Sequence, residues 1–317
     1  MKRVVLIHDA AIDEYISFLL LAAMPDVELA GSVIVNADCL DGPAMQTGWA
    51  IQSYIGREDI PLGLSGVRGV NPFPWEYRSD CVKLGRIPPL AAYAQHTGWP
   101  PYPDGDAWLA SFFKALEEPV TVVCLCPLSA LALLLDAQPD AAEKIERLIW
   151  MGGAVNVAGN LDPKTLPPGY ANPYAEWNVF WDPQGTQRVL ESTHFPITMF
   201  PLDVTNDAKV APELMTQLLV DGKVSRVSDL ARQAYALVLD QPFYCLWDVT
   251  ATVYLARPDL YQAPEALRIA VDTTENKTGA ILPDPSGREV DVVLAFNNLP
   301  GFYEYVTKTL RTAGGPS

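Results

Sequence analysis

The sequence predicts an α/β fold in which a mainly parallel β-sheet is flanked by helices, in a Rossmann-like arrangement. Short apolar runs rich in β-branched residues recur along the chain and are typical of buried strands. Amphipathic stretches of two or three helical turns lie between them, and this alternation favours a parallel sheet with right-handed crossovers. No internal repeat or shift in composition marks a boundary, so residues 1–317 are expected to form a single domain.

The predicted strands follow one another along the chain. They are the runs 4–7, 29–35, 120–125, 148–151, 196–200, 267–271 and 290–296, with helices predicted at 15–23, 129–137 and 183–191. Ligands of such sheets bind at the carboxyl ends of the strands. We therefore expect Asp9, Asn36, Asp38 and the turn at 126–129 to lie along one edge of the sheet, although they are far apart in sequence.

Composition and charge exclude several classes of protein. With 317 residues, 49% of them hydrophobic, the chain has ample material for a core, and disorder is not expected. The formal net charge is −16, from 38 acidic and 22 basic residues. Binding to phosphate backbones requires clustered Lys and Arg, so nucleic acids and anionic membranes are not expected partners.

The cysteines and the N-terminus predict a cytoplasmic protein. The five cysteines are odd in number, and two of them lie in an apolar run, as expected of reduced thiols. Acidic residues and a histidine interrupt the only candidate signal peptide, at residues 1–24. No apolar run approaches the length of a membrane span.

Three carboxylates, Asp9, Asp13 and Glu14, crowd the end of the first predicted strand, where a helix must begin. Acids at a helix N-terminus are favoured by the macrodipole, which accounts for Asp13 and Glu14 but leaves Asp9 unexplained. A hard cation accounts for all three, because oxygen-rich clusters are what calcium and magnesium require. We expect a metal or substrate site here.

Two long segments are rich in Pro, Gly and aromatic residues. They span 69–106, which contains N-P-F-P-W-E-Y-R, and 159–175. Loops of this length in a compact domain are usually lids or binding loops.

Five motifs, separated along the chain, carry a family resemblance. They are I-H-D-A-A-I-D-E at 7–14, C-P-L-S-A-L-A from Cys126, M-G-G at 151–153 with Gly159-Asn160, A-E-W-N at 175–178, and Trp247-Asp248 at the start of an apolar helix. In this order they resemble the motifs of nucleoside hydrolases, which cleave the N-glycosidic bond of ribonucleosides with water and a bound calcium. The first motif resembles the signature D-x-D-P-G-x-D-D, with Asp9 as its second Asp.

Within this family, the purine-preferring (inosine-adenosine-guanosine) branch is the most similar. The features that carry this likeness are H-D at 8–9, N-A-D-C at 36–39, N-P-F-P-x-E at 71–76, A-E-W-N-x-x-W-D-P at 175–183, and Trp rather than His before Asp248. The expected function is calcium-dependent hydrolysis of purine ribonucleosides to free base and ribose. The resemblance also implies a homodimer or homotetramer.

The chemistry of the reaction assigns roles to these residues. Cleavage passes through an oxocarbenium-like ribose and needs an activated water on one face. The expected calcium ligands are Asp9, Glu14, Asp248 and the main-chain carbonyl of Ser129, and Asp9 is the expected general base. The resemblance assigns the ribose 2′-hydroxyl to Asp13. It assigns the remaining hydroxyls to Asn160, Glu176 and Asn178.

The base is expected to stack on aromatic side chains. Trp247 is the first candidate for this wall, and Tyr77 or Trp75 is the second. Asp38, beside Asn36, is expected to assist leaving-group departure or to shape the metal site, with Asn36 as a further substrate contact. None of the histidines, His8, His96 and His194, is placed as the acid that protonates the base.

Departures from the family pattern leave alternatives open. Glu14 replaces an Asp of the signature, Ile7 replaces its first Asp, and Ala11 replaces a Gly or Asn. One alternative is a degenerate homologue that binds nucleosides without turnover, and another is a hydrolase of a modified nucleoside. A phosphohydrolase of the haloacid-dehalogenase type would require a nucleophilic Asp where the chain has Ile7.

Overall fold

A nine-stranded β-sheet forms the centre of the protein in a computed structural model, which describes residues 1–93, 102–192, 195–241, 244–274 and 276–313. The strands are β1 (Lys2–His8), β2 (Val27–Ile34), β3 (Leu62–Leu64), β4 (Val120–Cys124), β5 (Ile145–Met151), β6 (Ile197–Phe200), β7 (Glu265–Val271), β8 (Ile281–Pro283) and β9 (Arg288–Val292). Their spatial order is β3-β2-β1-β4-β5-β6-β9-β7-β8. β1 to β6 and β9 pair in parallel, whereas β7 is antiparallel to both of its neighbours. The predicted α/β fold with a mainly parallel sheet is confirmed.

Helices cover the sheet on both faces. They are α1 (Ile12–Ala23), α2 (Asp41–Ile55), α3 (Asp80–Gly85), α4 (Pro88–Ala91), α5 (Gly105–Ala115), α6 (Ser129–Ala137), α7 (Trp177–Trp181), α8 (Pro183–Glu191), α9 (Leu202–Thr205), α10 (Pro212–Asp221), α11 (Arg226–Ala236), α12 (Trp247–Tyr254) and α13 (Leu299–Thr312). None of the helices in the described ranges combines the length and apolarity that a membrane crossing requires.

Strand β1 shows why the sheet lies at the centre. Val4 and Leu6 belong to the apolar core on one face of the sheet, and Val5 and Ile7 belong to the core on the other face. All four side chains are buried. Because successive side chains of a strand point to opposite faces, a continuous apolar run fits a strand that is covered on both sides.

All seven predicted strands are present, with ends shifted by a few residues. The run 290–296 forms a strand only as far as Val292. The short strands β3 and β8 were not predicted, because three residues are too few for a hydrophobic pattern to be recognised. Helices α3 and α4 lie in the segment 69–106, which was expected to be a loop throughout, and residues 94–101 of that segment lie outside the described ranges.

Packing of α1 against α12 is the feature that builds the site. α1 follows β1 directly, and α12 comes from the C-terminal third of the chain. Their contact brings the start of α12 beside the acids that follow β1. Segments from the first and the last third of the chain therefore contribute to one region at the carboxyl edge of the sheet.

Candidate active site

A cavity of about 440 Å³ opens at the carboxyl ends of the central parallel strands. β1, β2, β4 and β5 contribute residues from their ends or from the segments that follow, and the loops and helices complete the wall. The lining residues are Asp9, Ala11, Glu14, Asp38, Phe73, Tyr77, Asp80, Leu125, Met151, Asn160, Asp162, Glu176, Trp177, Asn178, Gln241, Tyr244, Trp247 and Asp248. Asp9 and Asp248 are separated by most of the sequence, and both line this cavity.

The end of β1 turns through an unusual backbone conformation. Ala10 has φ 64°, in the left-handed region, which costs a non-glycine residue roughly 1–2 kcal/mol. Its N–H donates to Nδ1 of His8 at 3.2 Å. Burial lowers the pKa of His8 to about 3, so that the imidazole is neutral and accepts this bond. His8 therefore stabilises the turn, and it does not line the cavity; His96 and His194 lie outside the described residues.

Asp9 and Glu14 lie side by side in the cavity wall. Both are buried, and the nearby charge of Asp9 adds to burial in raising the pKa of Glu14. Oδ2 of Asp9 also accepts the main-chain N–H of Asp38 at 3.1 Å, which joins the ends of β1 and β2.

The electrostatics of the cavity are dominated by buried acids. Burial raises the pKa of Asp9, Glu14, Asp38 and Asp248, and mutual repulsion raises those of Glu14, Asp38 and Asp248 further. The positive charge of Arg78 opposes this effect at Asp9 and Asp38. The pocket is therefore rich in oxygen atoms and poor in compensating positive charge.

Arg78 holds the segment that carries Asp38. Its guanidinium donates to the main-chain carbonyls of Ala37 at 2.9 Å and Asn36 at 3.2 Å, and to Oδ1 of Asn36 at 3.0 Å. The side-chain amide of Asn36 donates to Asp41. Asn36 is thus a structural residue of this network and does not line the cavity, so the structure gives no support to its expected contact with substrate.

Asp13 also lies away from the cavity wall. Its Oδ2 accepts the main-chain N–H groups of Asp248 at 2.7 Å and Val249 at 3.0 Å, and its Oδ1 accepts the hydroxyl of Tyr235 at 2.7 Å. These bonds satisfy orphan donors at the N-terminus of α12. Asp13 therefore fixes the main chain of Asp248 and Val249, and its expected contact with the ribose 2′-hydroxyl stays a prediction.

The segment around α7 brings three predicted substrate contacts into the cavity. Glu176 accepts main-chain N–H groups from Asn178 at 2.9 Å and Gly153 at 2.8 Å, and burial raises its pKa to about 7. The amide of Asn178 donates to the carbonyl of Met151 at 3.1 Å. Oδ1 of Asn160 is buried and has no hydrogen-bond partner within the described chain. Asn160, Glu176 and Asn178 all line the cavity, and their contacts with ribose hydroxyls stay a prediction.

Aromatic side chains line two parts of the wall. Trp247 and Tyr244 meet edge to face with ring centroids 4.9 Å apart, and the indole N–H of Trp247 donates to Asn206 at 3.2 Å. Phe73, Tyr77 and Trp177 form the second group, in which Trp177 lies 5.0 Å from Phe73 and 5.9 Å from Tyr77. Trp247 and Tyr77 both line the cavity, where they were expected to stack on the base. Trp75 is 69% exposed and is not part of the wall.

Ser129 is not at the cavity either. It begins α6, and its hydroxyl donates to Asp182 at 2.5 Å. Leu125, the first residue after β4, lines the cavity instead, because the strand end reaches the site and the helix start four residues later does not. The carbonyl of Leu125 is the better candidate for a main-chain ligand from this segment.

The acids fit a divalent cation in their donor chemistry. Oδ1 of Asp248 and Oδ1 of Asp38 are buried without hydrogen-bond partners among the described residues, and such orphaned carboxylate oxygens suit a hard ion. No three Cys, His, Asp or Glu side chains in the described ranges are already grouped closely enough to hold an ion.

The family model of inosine-uridine preferring nucleoside hydrolases matches residues 4–303. The chain belongs to the nucleoside hydrolase family. It is 31% identical over 201 residues to the non-specific ribonucleoside hydrolase RihC of Shigella dysenteriae serotype 1, a match that covers 62% of each chain. RihC of Escherichia coli O157:H7 is 31% identical over 198 residues, which are 61% of each chain. The chain thus spans less than two thirds of the length of these curated relatives.

Solved structures of other nucleoside hydrolases share the fold. The crystal structure of an inosine-uridine preferring nucleoside hydrolase from Bacillus anthracis has a TM-score of 0.89 and 31% sequence identity, covering 98% of this chain and 99% of that chain. A purine-preferring ribonucleoside hydrolase from Gardnerella vaginalis has a TM-score of 0.79 at 17% identity and covers 99% of both chains. The family predicted from the sequence is confirmed. The likeness to the purine-preferring branch stays a prediction.

Several lining residues of this nucleoside hydrolase were not predicted. They are Ala11, Phe73, Asp80, Leu125, Met151, Asp162, Trp177, Gln241 and Tyr244. Phe73 and Asp80 lie in the segment 69–106, whose length and aromatic content did indicate a binding loop. Gln241 and Tyr244 lie shortly before Trp247, but side chains in an irregular segment carry no periodic signal that would show which of them face the cavity.

Proposed function

We propose that this nucleoside hydrolase cleaves the N-glycosidic bond of ribonucleosides with water, with Ca²⁺ as cofactor and purines as the preferred bases. The observation that carries the proposal is the presence of Asp9, Glu14 and Asp248 in one cavity with Asn160, Glu176 and Asn178. The first group offers oxygen ligands for a hard cation. The second offers donors and acceptors that suit the hydroxyl groups of a ribose.

Asp9 acts as the general base in this proposal. It lines the cavity, and the N–H of Asp38 holds one of its oxygens. It takes a proton from the water whose oxygen bonds to C1′, while the bond from C1′ to the base breaks and its electron pair goes to the base nitrogen. The products are ribose and the free base, which must gain one proton.

The metal ligands would be Asp9, Glu14, Asp248 and the main-chain carbonyl of Leu125, which replaces the expected carbonyl of Ser129. When bound, Ca²⁺ would lower the pKa of a water and orient the ribose diol. This proposal is supported by two buried oxygens, Oδ1 of Asp248 and Oδ1 of Asp38, which have no hydrogen-bond partner among the described residues and could bind a cation.

Glu176, Asn178 and Asn160 hold the ribose. Main-chain N–H groups fix the carboxylate of Glu176, and the carbonyl of Met151 fixes the amide of Asn178, so both groups are preorganised. Binding energy from several hydroxyls can hold the sugar in the distorted form that the transition state needs.

Departure of the base depends on Asp38 and the aromatic wall. Burial and the neighbouring charge of Asp9 raise the pKa of Asp38 well above its ordinary value, which suits a carboxyl group that gives a proton to the leaving base. The indole of Trp247, held by Asn206, offers a flat surface for a purine, with Tyr77 as the second aromatic contact. The larger face of a purine gains more from such stacking than a pyrimidine does.

Ribose release tests the proposal directly. The protein is incubated with inosine, guanosine, adenosine and uridine, with Ca²⁺ or with a chelator, and free ribose is measured. We expect release that is faster with the purines and that the chelator abolishes. Nucleoside binding without release would support a degenerate homologue instead, and release from a modified nucleoside alone would change the substrate. The size of the protein in solution tests the homodimer or homotetramer that family membership suggests.

A further inference from the structure

One part of the cavity wall is polar and plays no role in the proposed chemistry. Asp80, the first residue of α3, and Gln241, from the segment before α12, both line the cavity. The carboxylate of Asp80 lies near enough to Asp38 and Tyr244 to raise the pKa of both groups. Asp80 and Gln241 therefore line the same cavity as the aromatic side chains of Tyr244 and Trp247.

Asp80 is a buried acid with a positive partner of its own. The residue is only 5% exposed, and its Oδ1 accepts a hydrogen bond of 2.7 Å from Nζ of Lys83, one helical turn away. The described residues give no hydrogen bond to its other oxygen, Oδ2. A buried, ionised carboxylate costs free energy unless its remaining lone pairs are also satisfied.

A carboxylate in this position distinguishes bases by their hydrogen-bonding edges. It accepts hydrogen bonds and cannot donate them while ionised. Guanine presents the ring N1–H and the exocyclic amine side by side, and hypoxanthine presents N1–H alone. Adenine has a lone pair at N1, which would face the carboxylate without a proton. Gln241 can both donate and accept, so it tolerates either edge.

We propose that Asp80 selects 6-oxopurine nucleosides by accepting a hydrogen bond from N1–H of the base, with Lys83 as the residue that positions the carboxylate. The inference rests on the proposed function, since it assigns the base to the side of the cavity that Trp247 and Tyr244 line. It predicts the order guanosine, then inosine, then adenosine, because guanine has two donors at N1 and C2, hypoxanthine has one and adenine has none.

The test compares kcat/KM for guanosine, 1-methylguanosine and adenosine with that for an aryl riboside, whose leaving group has no such edge. In the unchanged protein, guanosine should exceed both 1-methylguanosine and adenosine at least tenfold. Asp80→Asn should lower the ratio of guanosine to aryl riboside about tenfold or more, because the charged acceptor is lost. Lys83→Met should lower this ratio as well, and Lys83→Arg should retain it.

Asp229→Asn is the matched control. Asp229 and Arg232 form another ion pair three residues apart on a helix, and neither lines the cavity. In the Asp229→Asn variant, the ratio of kcat/KM for guanosine to that for the aryl riboside should equal the ratio in the unchanged protein. An Asp80→Asn variant with an unchanged ratio would overturn the inference, and so would 1-methylguanosine cleaved as fast as guanosine.

Failure of the proposed function would be recognised separately. In that case the unchanged protein would release sugar from none of these substrates, including the aryl riboside. The role of Asp80 is then tested by the binding of guanosine and of 1-methylguanosine, with tryptophan fluorescence as the measurement. Tighter binding of guanosine that Asp80→Asn removes would support it, and equal binding of the two nucleosides would contradict it.

Discussion

The carboxylate of Asp13 accepts a hydrogen bond of 2.7 Å from the main-chain N–H of Asp248. This bond joins the residues that follow β1 to the start of α12, which lies 235 positions later in the sequence. The same oxygen of Asp13 also accepts the N–H of Val249. The position of Asp248 in the cavity therefore depends on Asp13, although Asp13 does not line the cavity itself.

Replacement of Asp13 should affect stability and metal binding together. Asp13→Asn keeps the size of the side chain, but it weakens a charge-assisted cap of α12 and the bond from Tyr235. We expect the free energy of unfolding to fall by about 1–3 kcal/mol. Ca²⁺ should also bind more weakly, because Asp248 is no longer fixed. Chemical denaturation and calorimetry measure the two effects, and an Asp13→Asn protein with unchanged calcium affinity would exclude the positioning role.

Replacement of Arg78 should affect turnover more than ribose binding. Arg78→Met removes the donors that hold the carbonyls of Asn36 and Ala37, together with the positive charge near Asp9 and Asp38. We expect kcat to fall at least tenfold with a smaller change in KM. Arg57→Met is the control, since Arg57 forms an exposed ion pair with Asp59 outside the cavity. Equal kinetics in the two variants would show that Arg78 does not support the site.

Trp247→Ala should slow release of purines more than release of an activated aryl group. An aryl group that leaves readily needs no protonation, whereas a purine gains from stacking and a proton. The measurement is the ratio of kcat/KM for inosine to that for the aryl riboside, which we expect to fall at least tenfold. The same loss on both substrates would remove the stacking role from Trp247.

The pH dependence of stability should contain a contribution from Glu176. Burial raises its folded-state pKa to about 7 from an ordinary value of 4.5, so between these values the folded protein binds more protons than the unfolded chain. Its contribution to stability is full below pH 4.5 and is lost as the pH rises to 7. With a chelator present, Glu176→Gln should flatten this decline by up to about 3 kcal/mol.

Urea denaturation at pH 5 and pH 7.5 measures this difference. Glu191→Gln, which changes an exposed glutamate on α8, is the control and should leave the decline as it is. A Glu176→Gln protein whose stability falls as steeply with pH as that of the unchanged protein would show that Glu176 does not titrate in this range.

The fold and the centre of the site could be predicted from the sequence for physical reasons. Strand β1 is apolar on both faces, so its place in the middle of a parallel sheet follows from burial alone. Asp9 directly follows β1 and Asp38 lies four residues after the end of β2, and the carboxyl ends of parallel strands share one edge. Asp248 was predicted from the motif it shares with the family, since no local pattern places the start of α12 beside β1.

Three candidate residues do not line the cavity. Asp13, Asn36 and Ser129 lie within one to four residues of lining positions, and their side chains form hydrogen bonds within the protein. A helix or turn changes the direction of successive side chains by large angles, so adjacency in sequence does not determine which residue faces the site. Trp75 and Tyr77 show the same limit, since only the second of the two faces the cavity.

A crystal structure of the protein grown with Ca²⁺ and a ribose analogue tests the proposed metal site most directly. We expect one calcium ion in the cavity, with oxygens of Asp9, Glu14 and Asp248 about 2.3–2.6 Å away and the sugar beside Glu176 and Asn178. A calcium ion bound elsewhere, or a sugar bound in this cavity while those three carboxylates hold no ion, would contradict it.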